Sequence, residues 1–350
     1  MNIQINDCTI RDGGYLFKKN SPAEFVSGVM QGLINAGIDI IEVGFLQDAV
    51  NGETLVYRNS TEARRFLPVD AEAARFTGFC DNSRYSLENL DGCDGKAFEY
   101  LRISFAKHEA DAALKFVAGA KAKGYKIFAN PMDAPSYTVG ELCEMIEKVN
   151  RIQPYAFSIV DTFGTMYMED LKSIFAQVDQ RLDKSIRVGL HSHNNLQLSN
   201  ALAETMIDMA VDADRDIVVD GSLYGMGRGA GNASTEVLAA YLNARHGKDY
   251  SISVLFDTIE RYISPCLDNE AVDRWGYDLP MLICGMMGSH VDNIFHLKKI
   301  SSCNSSEILE IISRLDSMKR KRYGSNYSKT DFTDLDEIYT QYGRDRGKIG

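Results

Sequence analysis

No two of the seven cysteines are spaced as CxxC; they stand apart at Cys8, Cys80, Cys93, Cys143, Cys266, Cys284 and Cys303, an odd number. That argues against a disulfide framework and a closed structural zinc site, and leaves reduced thiols. No basic stripe interrupts the acidic balance of 38 Lys and Arg against 49 Asp and Glu, a formal net charge of -11. Nucleic acid and anionic membrane surfaces are therefore not expected as partners. No apolar run approaches the roughly 20 residues that a membrane helix needs. The opening MNIQINDCTIRDGG has neither the basic nor the apolar region of a signal peptide, so a cytoplasmic location is expected. Internal repeats and low-complexity segments do not stand out. What is there is ordinary globular composition, 45% hydrophobic and 25% charged, which speaks against wholesale disorder.

A chain of 350 residues has room for one large domain with an appendage, or for two medium domains. Up to about residue 250, short β-branched runs alternate with stretches of helical period. The runs Ile3–Ile10, Asp39–Phe45, Ala74–Cys80, Phe98–Phe105, Tyr125–Asn130, Phe157–Val160, Ile186–Leu190 and Ile217–Val219 predict eight strands. Helices are predicted over Pro22–Ala36, Glu109–Lys123, Val139–Ile152, Met168–Leu182, Leu196–Ala210 and Ser234–His246. Eight such units favour an α/β fold closed as a (β/α)8 TIM barrel over residues 1–250. An open doubly wound sheet is the alternative, but its first turn would read GxGxxG where this chain has TIRDGGY. Beyond Lys248 the pattern turns helical, at Ile252–Ile263, Pro280–Ile300 and Ser306–Lys319, which predicts a C-terminal helical domain over 251–322. Residues 323–350 are polar and turn-rich and read as a mobile tail.

Three polar clusters fall at predicted strand ends, where a barrel of this kind places its chemistry. The first is Asp7-Cys8-Thr9-Ile10-Arg11-Asp12-Gly13-Gly14-Tyr15. An Arg beside an Asp is costly on a buried strand unless each finds a partner or ligand; a structural ion pair answers that need as well as a functional site does. The second is His191-Ser192-His193 at the end of strand 7. Residues i and i+2 of a strand share a face, so both imidazoles point to one place, as two ligands of one metal must. The third is the loop Gly225–Asn232 after strand 8, whose glycines suit either an anion-binding helix start or a tight connection. Strands 7, 8 and 1 are consecutive around a closed barrel. Asp12, His191, His193 and Asn232 can therefore converge on one divalent cation. Mixed nitrogen and oxygen ligands permit Mn2+, the preferred expectation, as well as Mg2+, Co2+ or Zn2+.

Taken in order, Asp7-Cys-Thr-Ile-Arg-Asp-Gly13, Ile41-Glu42-Val43-Gly44, His191-Ser-His193 and the Gly225–Asn232 loop make the chain resemble the metal-dependent aldolase and acyl-CoA lyase superfamily. That superfamily includes 4-hydroxy-2-oxovalerate aldolase, hydroxymethylglutaryl-CoA lyase and isopropylmalate synthase. The resemblance spans about residues 3–245 and is nearest to the first of these. It implies Asp12, His191 and His193 as metal ligands with Asn232 a fourth, and Arg11 over the keto oxygen of a substrate. It also implies Thr162 on a substrate carboxylate and Glu42 beside Arg11. The implied reaction makes or breaks a carbon–carbon bond between a 2-oxo acid and an aldehyde through a pyruvate-type enolate, and a homo-oligomer fits the family.

One departure matters. Where the aldolases carry a histidine base, three residues past the ligand aspartate, this chain has Tyr15, a poor base with a reference pKa of about 10. Tyr15 is expected to donate a hydrogen bond or to pack at the mouth. His290, read as lying on a C-terminal helix, is expected to approach from above in place of the base, and Arg102, read at the end of strand 4, to touch substrate. Two rivals stay open: a Claisen-type acyl-CoA lyase or synthase, and a catalytically inactive metal-binding regulatory module.

Overall fold

A computed structural model of the chain describes residues 1–50, 55–68, 75–321 and 331–346. Eight parallel strands form its centre: β1 Ile3–Asp7, β2 Ile40–Leu46, β3 Arg75–Asp81, β4 Tyr100–Phe105, β5 Lys126–Pro131, β6 Ala156–Asp161, β7 Arg187–Ser192 and β8 Ile217–Gly221. Each pairs with its neighbours in sequence, and β1 pairs with both β2 and β8, so the sheet closes into the expected (β/α)8 barrel. A two-residue strand, Val56–Tyr57, adds beside Phe45 and Leu46. The strands are buried on both faces, which is why they read as β-branched runs and not as alternating patterns.

The barrel interior is layered. Ile40, Tyr100, Phe128, Ala156 and Val218 form a separate apolar cluster inside it. Two residues further along the same strands stand Glu42, Arg102, Asn130, Ser158 and Asp220, all buried. Side chains alternate along a strand, so this second set points into the same interior one step nearer the strands' C-terminal ends. An apolar plug thus carries a polar layer, and the polar layer carries the site.

Four differences from the sequence reading bear on function. Strand β1 ends at Asp7 and not at Ile10, because Thr9–Gly13 is one helical turn. The expected helix Pro280–Ile300 is two helices, Leu279–Met287 and Val291–Ile300, broken where Gly288 adopts φ +58°. The expected C-terminal domain also divides in packing. Leu255, Ile259, Ile263 and Val272 join the barrel core, and Gly28 and Gly32 let this segment approach the helix Ala23–Asn35, since a Cβ on Gly32 would lie 2.1 Å from Thr258 Oγ1. A second core begins at Met281 and gathers Ile294, Leu297, Ile308, Ile312, Leu335 and Tyr342. Within the expected tail, finally, Thr333–Asp345 is a helix that docks on this second core; residues 323–330 and 347–350 lie outside the described ones. Among the described residues no helix is long and apolar enough to cross a membrane.

Candidate active site

The turn after β1 is built by Asp7. Its carboxylate accepts from the Thr9 amide at 2.9 Å and from the Thr235 hydroxyl at 2.6 Å, while the Thr9 hydroxyl accepts from the Leu223 amide at 2.7 Å. Burial, against these hydrogen bonds, pushes the Asp7 carboxyl up to about 6. The turn carries Arg11 and Asp12 off the strand and over the barrel mouth. There the ligand atoms of Asp12, His191 and His193 all lie within 4.8 Å of one another. Asn232 stands beside them, with its amide nitrogen donating to Asp12 Oδ2 at 2.6 Å.

This set fits a divalent cation. Among the described residues, His193 Nδ1 and Asn232 Oδ1 are buried without a hydrogen-bond partner, and an unpartnered buried polar atom carries a cost that a cation would relieve. Burial, opposed by Asp12 and reinforced by His191, pulls His193 down to about 4, so it is neutral at pH 7 as a ligand must be. Burial would raise Asp12, but Arg11, His193, His191 and the Asn232 amide outweigh it and hold the carboxyl well below the usual range. Cys8, His191 and Asp220 are equally close together. That second trio suits a metal less, because burial and then Glu42 and Asp220 push the Cys8 thiol far up and keep its proton on.

Beneath the triad the polar layer forms one chain of charges. Arg11 donates to Asp12 Oδ1 at 2.8 Å and to Glu42 Oε2 at 2.8 Å. Glu42, fully buried, also faces Arg102 Nη1 at 3.4 Å, and Arg102 closes the chain onto Asp220. Asp220 lies 2.9 Å from His191 Nδ1 and accepts from Asn6 at 3.0 Å. Three carboxylates, Asp12, Glu42 and Asp220, against two guanidiniums, Arg11 and Arg102, leave one negative charge in this network, which suits a cation.

A cavity of about 190 Å³ opens above this network, lined among others by Arg11, Asp12, Tyr15, Thr162, His191, His193 and His290. Tyr15 is about half exposed at its rim, against Phe45 at 5.0 Å between ring centroids. Desolvation raises its pKa against the pull of Arg11 and Arg228, so the phenol keeps its proton at neutral pH. Thr162 Oγ1 accepts from the Asp133 amide at 2.8 Å, leaving its hydroxyl proton for another acceptor. His290 does not lie within a helix, as the sequence suggested, but caps Val291–Ile300, its Nδ1 accepting from the Asp292 amide at 3.2 Å. That contact puts the neutral ring's proton on Nε2 and makes it a donor. Arg102 is buried in the middle of β4 and not at its end, and two carboxylates hold its guanidinium. In the Gly225–Asn232 loop the amides of Gly231 and Asn232 donate to the carbonyls of Arg228 and Gly225, which closes the loop on itself at that end. The loop delivers Asn232 to the triad.

Sequence reasoning missed Asp220 and the Arg228–Asp292 pair. Asp220 had a signal, a carboxylate at the C-terminal end of a strand as at Asp161.

Residues 99–261 match the HMGL-like family. A 4-hydroxy-2-oxovalerate aldolase of Thermomicrobium roseum is 28% identical over 308 residues, covering 85% of this chain and 82% of that protein. Among solved structures, the N-terminal domain of a Bacteroides vulgatus protein superposes with a TM-score of 0.72 at 24% identity, over 85% of this chain and 97% of that one. The HMG-CoA lyase of Brucella melitensis gives 0.60 at 15% identity, over 73% and 96%. At these identities the structures speak for the fold alone.

Proposed function

We infer the chemistry from family and geometry together: the chain belongs to the HMGL-like superfamily and is an aldolase, a carbon–carbon lyase. The finer reading is a divalent-metal-dependent enzyme that cleaves or forms the C3–C4 bond of 4-hydroxy-2-oxo acids, with pyruvate as its 2-oxo product. The observation that carries it is the Asp12–His191–His193 cluster with the buried, unpartnered Asn232 Oδ1 beside it.

A cation held by Asp12, His191, His193 and Asn232 would supply Lewis-acid stabilisation for negative charge on the keto oxygen. The protein's own groups do the rest. Arg11 sits beside Asp12, its guanidinium aligned by Glu42, and adds a charge-assisted hydrogen bond to the same oxygen. Thr162 turns its hydroxyl proton to the substrate carboxylate. Tyr15 and His290 both keep a donor proton at the mouth and hold the oxygen on C4. The aromatic walls of Phe45, Phe79 and Phe163 keep water from the carbanionic carbon. Arg102 acts from beneath, holding Glu42 and Asp220 in place.

The test is pyruvate release from a panel of 4-hydroxy-2-oxo acids by protein stripped with a chelator and then given Mn2+. Turnover that vanishes on stripping and returns with the metal is expected. Absence of both pyruvate release and methyl-proton exchange on pyruvate, with every metal tried, would turn the reading toward a binding module.

A further inference from the structure

We propose that Lys321, from the C-terminal helical segment, is a positioning residue of the active site: through Asp133 it sets the direction of the Thr162 hydroxyl and so the grip on the substrate carboxylate. The inference rests on the aldolase reading above, with Thr162 as its carboxylate donor, and gives the C-terminal helices a part in that site.

Asp133 and Thr162 follow β5 and β6, neighbouring strands that pair in the barrel. Asp133 is left-handed, at φ +56°, a conformation that a non-glycine residue keeps only where its surroundings hold it. Its contacts supply that hold. Its carbonyl accepts from the Ser136 amide at 2.9 Å and from the Ser136 hydroxyl at 2.7 Å. Its amide donates to Thr162 Oγ1 at 2.8 Å. Its carboxylate does not cap the turn Ala134–Ser136 that it precedes; it accepts instead from Lys321 Nζ at 2.6 Å, 188 positions away.

Asp133 is buried and Lys321 partly so, and burial raises the Asp133 carboxyl against the pull of Lys321. Without the ammonium, this buried carboxylate would have to take up a proton or turn toward water, and either loosens the turn that serves Thr162. Thr162 Oγ1 has already accepted the Asp133 amide, so its own proton is left for an acceptor in the cavity that it lines. The segment bearing Lys321 is itself anchored over the mouth. The Arg320 carbonyl accepts from the His290 amide at 2.8 Å and from Asn293 Nδ2 at 2.9 Å, and Lys321 Nζ lies 6.0 Å from the Phe163 ring centroid. One short helix, Ser317–Lys321, thus holds the main chain at His290 and the carboxylate behind Thr162. These are the donors assigned above to the C4 oxygen and to the substrate carboxylate.

The experiment follows methyl-proton exchange on pyruvate, without any aldehyde, by full-length protein loaded with Mn2+, and pyruvate binding to the same protein by calorimetry. Lys321→Met should raise KM and Kd for pyruvate about tenfold with the Kd for Mn2+ unchanged, and Lys321→Arg should recover most of the loss. Thr162→Val should raise KM at least as far. Adding Lys321→Met to it should raise KM no further, because the two act through one contact. Asp133→Asn keeps the left-handed backbone and loses the charge; it should raise KM in the same direction, and it carries the test if Lys321→Met does not fold. A pyruvate KM left at the wild-type value by Lys321→Met, or by Asp133→Asn in its place, overturns the proposal. So does an increment from Lys321→Met that multiplies with that of Thr162→Val. A matching rise in the Kd for Mn2+ would show a general loosening of the mouth and overturns it as well. Any of these results with wild-type exchange present sinks this inference alone, whereas no exchange and no turnover by the wild type sinks the aldolase reading with it.

Discussion

Nδ1 of His191 lies 2.9 Å from Oδ2 of Asp220, and Asp220 is itself clamped by Arg102 from the opposite side of the barrel interior. A carboxylate at Nδ1 keeps the proton there and turns the Nε2 lone pair toward Asp12 and His193. Asp220→Asn should therefore weaken Mn2+ binding about 10- to 100-fold with the triad itself intact, as isothermal titration calorimetry would measure. Unchanged affinity would show that His191 is oriented by packing alone.

Arg11 is doubly committed, to Asp12 and to Glu42 at 2.8 Å each. Lysine keeps the charge but cannot span two carboxylates with a planar fork. Arg11→Lys should lower kcat by about 100-fold or more, with a much smaller change in the Kd for Mn2+. A loss confined to KM would reassign Arg11 to ground-state binding.

Gly227 is a steric check on the triad. A Cβ there would stand 2.5 Å from Asn232 Nδ2 and 3.0 Å from Asp12 Oδ2. Gly227→Ala should push these two apart, weakening Mn2+ binding and lowering stability by about 1–3 kcal/mol. Wild-type metal affinity in this variant would remove Asn232 from the ligand set.

Asp7 gives the folded protein a pH signature. Its folded pKa is raised to about 6 by burial, above the unfolded value of about 3.9. Between these values the folded state binds more proton than the unfolded chain, so stability falls as pH rises through the window and is level above it. The term is roughly 3 kcal/mol. Asp161, also raised to about 6 by burial, acts with the same sign, while Asp12 and Asp220, both lowered, act with the opposite one. Asp7→Asn keeps an acceptor for the Thr9 amide and should remove only its own share. Urea unfolding of metal-free protein at pH 4 to 7 should show wild type losing more stability across the interval than the variant. Parallel curves would mean that Asp7 is ionised in the fold.

The eight strands could be read from the chain because a barrel strand buried on both faces needs β-branched residues throughout, and the helices between them carry their own period. His191 and His193 were readable for a local reason: two residues apart on one strand, they must share a face. The turn Thr9–Gly13 was not, since its stability rests on Asp7 reaching Thr235, 228 positions away. Likewise Gly288 alone gave no warning that His290 would cap a new helix, because one glycine inside a helical pattern is tolerated.

Periodicity and short-range spacing thus determined from the sequence that a barrel forms and which side of it bears the imidazoles, for those properties depend only on backbone geometry and near neighbours. The partners of the charges were decided by the tertiary structure. Arg102 meets Asp220 across 118 positions and Asn232 meets Asp12 across 220, and closure of the ring is what brings them within reach. Electrostatic pairing depends on distance in space, and only the closed barrel sets it.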